Sequence, residues 1–143
     1  MGVTIMCKKT GRQMDMGYFA FDRLRTKVAE LADPDIGARY RKLNDILRLS
    51  GPERGKAERL YDDETAALIA SGKLNPKIGK FLYQSDESGS IRYGACMEIL
   101  KAIGDYDSDE IFGYAGRSDA GKFSDFKAIL QDCVNSRCSL VWL

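Results

Sequence analysis

Strand periodicity in this chain is confined to its two ends. Near the start, VTIMC alternates, with Val3, Ile5 and Cys7 on one side and Thr4, Met6 and Lys8 on the other. KKTGRQ supplies a glycine-containing turn, and QMDMG returns as a second strand that Gly17 ends. Near the finish, SLVWL alternates again. Everything between these segments repeats its apolar residues every three or four positions, which is the spacing of an amphipathic helix. Sheet-forming segments this short cannot bury a face alone. The expected architecture is therefore a mainly helical α+β domain, with about six short helices and a small antiparallel sheet formed by the N-terminal hairpin and the C-terminal strand. At 143 residues, one domain over 1–143 is expected.

The helical segments carry their own boundaries. Phe21, Leu24, Val28 and Leu31 share one face of a first helix from Tyr18 to about Leu31. Asp33 followed by Pro34 marks a new N-cap, since proline is preorganised for the first helical position. The second helix runs to about Leu49 and buries Ile36, Tyr40, Leu43 and Leu47, after which SGPERG interrupts. A third helix begins near Ala57, with Leu60 and Leu68 facing inward and Gly72 as its C-terminal cap. NPKIGKFLYQ is a fourth, capped by Asn75. A fifth, closed by Gly104, presents Tyr93, Cys96, Leu100 and Ile103. Ser124 caps a last helix from about Asp125 to Asn135, with Phe126, Ile129 or Leu130, and Cys133 inward. Residues 105–121 form a long acidic, glycine-rich loop, and loops of that length are commonly functional or mobile.

The chain has no histidine. That removes the commonest general base and metal ligand, and with them Ser-His and Cys-His nucleophile pairs. Lys plus Arg number 22 against 21 Asp plus Glu, so no overall field draws the molecule to nucleic acid or an anionic membrane. The charge is nevertheless uneven. Residues 1–60 hold 13 basic and 8 acidic side chains, and the excess gathers at Arg39, Arg41, Lys42, Arg48, Arg54, Lys56 and Arg59. MGVTIMCKKTG lacks the apolar run of a signal peptide, and no segment reaches the roughly 20 apolar residues of a membrane helix. A cytoplasmic setting with Cys7, Cys96, Cys133 and Cys138 reduced is the expectation.

Three motifs invite chemistry. GRSDAGKF, at 116–123, has the glycine and lysine spacing of a phosphate-binding loop. Phe123 stands where a hydroxyl should meet Mg²⁺, however, and the 20 residues that follow are too few for the βαβ units such a loop requires. Its glycines are expected to turn the chain into the last helix. QSDESGSI, at 84–91, can be framed on a calcium loop through Gly89, but Gln84 and Ala95 occupy positions that need carboxylates. A joint between helices is expected, with Gly89 at positive φ and Asp86 capping. Four thiols match a zinc site in number, yet none are paired as CxxC; Cys133 and Cys138 are the closest. Cys96 and Cys133 fall on apolar faces and are expected to be core packers, while Arg137 beside Cys138 would lower that thiol's pKa. Carboxylates at Asp62 and Asp63, or at Asp107, Asp109 and Glu110, are explained by solvation and the helix dipole. No metal and no cofactor are expected.

GYFAFDRLRTKVA, FLYQSDESG, Cys96 seven residues after Gly89, and CVNSRCSLVW together resemble a small family of uncharacterised proteins encoded by bacteria and their phages. The resemblance spans most of the chain and implies no catalytic activity. Members carry a His and a second acidic residue in the QSDES turn, where this sequence has Gln84 and Ser88. The expected function is a non-catalytic interaction or regulatory module of phage or prophage derivation, with another protein as partner. It would work through Tyr106, Phe112 and Tyr114 in the acidic loop, because exposed aromatics dominate interface energetics. The alternative is nucleic-acid or phosphate binding through the basic residues of 39–59.

Overall fold

The computed structural model describes residues 2–114, 116–117 and 120–143. Strands β1 (Gly2–Cys7) and β2 (Gln13–Gly17) form the N-terminal hairpin. Helices α1 (Tyr18–Ala32), α2 (Pro34–Leu47), α3 (Gly51–Ala70) and α4 (Pro76–Tyr83) follow, then strand β3 (Gly89–Ile91), helices α5 (Tyr93–Ile103) and α6 (Phe123–Ser136), and strand β4 (Leu140–Trp142). The sheet is antiparallel throughout, in the order β2-β1-β4-β3. The mainly helical α+β expectation and the union of hairpin and C-terminal strand are thus realised. No helix among the described residues is long and apolar enough to cross a membrane.

The alternation at the chain ends makes the sheet one-sided. Val3, Ile5 and Cys7 of β1, Met14 and Met16 of β2, Ile91 of β3, and Leu140 and Trp142 of β4 are all buried. The register places Ile5 opposite Trp142 and Cys7 opposite Leu140, so these side chains share the helix-covered face. On the other face, Thr4 donates from Oγ1 to Asp15 Oδ1 across the hairpin at 2.6 Å.

Strand β3 was not anticipated. GSI is too short to show a period, and Gly89 is extended rather than at positive φ. Its glycine answers a different need. Gly89 lies opposite Trp142, and a Cβ there would sit 2.3 Å from the indole Cζ2. The turn before it is capped by Ser85 Oγ, which accepts from the Glu87 amide, rather than by Asp86.

Caps explain most helix boundaries. Asp33 accepts from the Asp35 amide at 2.8 Å, and Asn75 from the Lys77 amide at 2.9 Å, both as expected. Helix α6 departs from expectation, because Lys122 is its N-cap and the Asp125 carboxylate accepts from the Lys122 amide. Helix α3 starts at Gly51 rather than near Ala57, since Pro52 suits a first turn and Arg54 pairs with Glu58 one turn on. Only Tyr61 of α3 is buried, and Leu60 and Leu47 are exposed. Helix α5 buries Ala95, Cys96, Ile99 and Ile103, a face rotated from the expected one, and leaves Tyr93 exposed.

Two predictions follow from this packing. Gly89→Ala is expected to lower stability by about 1–3 kcal/mol, the usual cost of overfilling a packed core, read as a lower urea midpoint at an unchanged slope. Lys73 Nζ lies 3.0 Å from Asp33 Oδ2, and its hydrogen bond holds the Asp33 carboxyl below its ordinary value of 3.8. A carboxylate lowered in the folded state adds stability that is complete above the ordinary value and lost as pH falls through the lowered one. Asp33→Asn, which keeps the cap, should therefore be less stable than the parent at neutral pH, and the gap should close on acidification.

Candidate functional site

Helices α1 and α2 and the end of α4 enclose a cleft of about 680 Å³. From α1 come Tyr18, Asp22 and Arg25, spaced at roughly one turn, so that they line one stripe. Tyr40, Asn44 and Arg48 come from α2 and its cap, and Tyr83, Gln84 and Asp86 from the end of α4 and the residues after it. Phe19, at 91% exposure, and Leu47 give the rim an apolar edge.

Arg25 decides the character of this cleft. It is 4% exposed and is the only buried charged residue among those described. Its guanidinium lies over the Phe21 ring at 4.1 Å, with Trp142 at 5.4 Å and Phe81 at 5.8 Å. Nη2 donates to the Ser85 carbonyl at 3.2 Å, while Nε has no hydrogen-bond partner among the described residues. No carboxylate forms an ion pair with it there. Burial lowers its pKa, and Tyr40, Asp86 and Asp22 oppose that shift. Burial also raises the Tyr40 phenol, which stays neutral at physiological pH. A buried cation without a contacting counter-ion is costly, because its desolvation is not repaid. Asp22 is occupied by the Asn44 amide at 3.3 Å, and Arg48 stands exposed at the rim.

The loop residues expected to be exposed are mostly not. Phe112 is 1% exposed, beneath the Arg23 guanidinium at 5.0 Å and against Phe123. Tyr106 is half-buried and meets Phe123 edge-on at 5.0 Å. Apolar rings gain more from the core than from water, and among the described residues Phe112 and Gly113 both donate to Gly121 O, and Phe123 to Glu110 O. Of the three rings, Tyr114 alone is exposed. The phosphate-loop look-alike ends in this same packing: Phe123 is buried, and a Cβ on Gly121 would strike Met14. Ser118 and Asp119 of that motif lie outside the described residues.

Of the basic residues, Arg39 and Lys42 line a shared pocket between α2 and α3. Arg39 is tucked over Tyr61 at 3.7 Å and faces Glu64, Arg41 pairs with Glu30, and Arg54 with Glu58. Lys42, Lys56 and Arg59 are exposed on α2 and α3, and Arg48 belongs to the Arg25 cleft. Gln84 closes the calcium-loop look-alike on itself, donating to Lys80 O and Ser90 O and accepting from the Ser90 amide.

Three of the cysteines come together without a spacing motif. All four are free, and the sulfurs of Cys7, Cys133 and Cys138 lie within 4.8 Å of one another although no CxxC pairs them in sequence. Cys96 and Cys133 are buried, as expected. Burial pushes the Cys7 thiol up, but the Thr10 hydroxyl and amide, Cys138 and the Lys9 amide together bring it down to about 6. Cys133 moves the other way, raised by the neighbouring Cys96 thiol and then by burial.

No family, curated protein or solved structure matches the chain. The site is therefore read from its own geometry. Phe112→Ala is expected to cost about 3–5 kcal/mol of stability, whereas Tyr114→Ser should stay within about 0.5 kcal/mol, as urea titration of both variants would show.

Proposed function

We propose that the protein is a non-catalytic binding module that takes a small ligand in the Arg25 cleft, seating an anionic group near the guanidinium and an apolar body against Phe19 and Leu47. The observation that carries this reading is Arg25 itself. A cation held at 4% exposure without a contacting carboxylate costs stability, and a replacement of similar length without charge would cost less. Retention of such a group is characteristic of sites where function opposes stability. Asp22 and Asp86 on the cleft wall favour a ligand that also carries a hydrogen-bond donor or a positive group. The absence of an imidazole, and a Tyr40 phenol that burial keeps protonated, support binding rather than acid-base turnover. This reading keeps the non-catalytic role expected from the sequence but replaces the expected protein partner and acidic loop with a small ligand and the cleft.

Arg25→Met tests the reading. Without ligand, the variant is expected to be at least as stable as the parent. Benzoate and phenyl phosphate should stabilise the parent saturably, by about 2.7 kcal/mol at a concentration 100 times Kd, and leave Arg25→Met unmoved. Neutral benzamide should act on neither. Equal shifts in both proteins, or none in the parent, would refute an anion seat at Arg25.

A further inference from the structure

The three converging thiols come from remote parts of the chain, and two local devices bring them together. Helix α6 ends with Arg137 in the left-handed conformation, at φ 51, and the Cys138 amide then donates to Cys133 O at 3.0 Å while the Arg137 amide donates to Val134 O. This helix-ending motif stacks the residue after the left-handed one over the residue four before it, which turns the five-residue separation of Cys133 and Cys138 into a side-by-side pair. Antiparallel pairing of β1 with β4 then sets Cys7 opposite Leu140, two residues past Cys138. Cys7 Sγ and Cys138 Sγ lie 3.1 Å apart. An L-residue is disfavoured in the left-handed conformation, so the chain holds a strained residue beside these sulfurs.

We propose that Cys7, Cys133 and Cys138 form a site for one thiophilic closed-shell cation, Zn²⁺ or Cu⁺, held by three sulfur ligands. A metal–sulfur bond of about 2.3 Å in tetrahedral geometry places sulfurs about 3.8 Å apart, a separation bracketed by the observed 3.1 Å contact and the 4.8 Å limit of the group. Sulfur-only ligation selects soft ions over Mg²⁺ or Ca²⁺, and this chain has no imidazole to offer. The surroundings resemble the outer shell that orients metal ligands. Ser136 Oγ is 3.1 Å from Cys138 Sγ and 3.8 Å from Cys7 Sγ, and it is anchored by donation to Asp132 O. The Asp132 carboxylate is in turn held by Thr10 and Arg12 from the β1–β2 turn. Cys7 and Cys133 are fully buried, whereas Cys138 is half-buried, so ion entry and any fourth, exchangeable ligand belong to the Cys138 side.

The test uses the full chain, reduced and stripped of metal without oxygen, then given one equivalent of Zn²⁺ or of Cu⁺. Native mass spectrometry should find one ion per chain, and Co²⁺ in its place should give the sulfur-to-metal absorption of thiolate ligation. Cys138→Ser, at a half-buried position that tolerates a hydroxyl, should weaken binding at least 100-fold. Cys96→Ala, outside the three-sulfur group, should retain it. Circular dichroism of each variant separates lost ligation from lost folding. Failure of the reduced parent to take up either ion would overturn the proposal, as would equal uptake by Cys138→Ser. Formation of a Cys7–Cys138 disulfide with hydrogen peroxide by a protein that binds neither ion would overturn it too.

Discussion

Trp142 is the residue through which sheet, aromatic core and cleft are joined. It sits in β4 between Ile5 of β1 and Gly89 of β3, and its indole donates to Ser85 O at 2.9 Å. Phe21 and Phe81 meet it edge-on at 5.7 and 5.8 Å, an arrangement that adds to the area each ring buries. Arg25 lies against this aromatic wall, so the electrostatic feature of the cleft rests on the packing of the last strand. The same Ser85 carbonyl accepts from Arg25 and from Trp142. One backbone oxygen therefore couples the cleft floor to an inner strand of the sheet.

The two unusual clusters use burial in opposite ways. At Arg25, a low-dielectric setting raises the cost of a charge and strengthens its attraction for an incoming anion. At Cys7, Cys133 and Cys138, three small polarisable groups pack as hydrophobes while their sulfurs converge. Both lie on the helix-covered side of the sheet, where the chain ends meet the helical body.

Much of the fold was legible in the sequence because its signals are local. Alternation in VTIMC and SLVWL, the Asp33-Pro34 and Asn75-Pro76 caps, and the terminal glycines at Gly72 and Gly104 each act within a few residues. The failures share a cause: they concern contacts between segments. GSI became a strand because Trp142 was available to pair with it, and Phe112 was buried because Phe123 was near. Sequence spacing does not reveal the thiol group, since a helix-ending motif and a strand pairing supply its proximity. Arg25 left one readable trace. In FDRLR it occupies the face of Phe21, Leu24 and Val28, where a helix of this kind should be apolar. Arg48 belongs to a cluster of like charge, whereas Arg25 is visible only as a charge out of place on an apolar face.

The pairing of β1 with β4 also sets an order of assembly. Ile5 and Trp142 are separated by nearly the whole chain, and such distant contacts form late because loop closure must come first. On the ribosome, the hairpin and the α1–α2 pair can form while later residues are still being added. The indole beside Arg25 and the third sulfur cannot be supplied until residues 138–142 have emerged from the exit tunnel. Both clusters are therefore completed only when this segment is available to pair with the N-terminal hairpin.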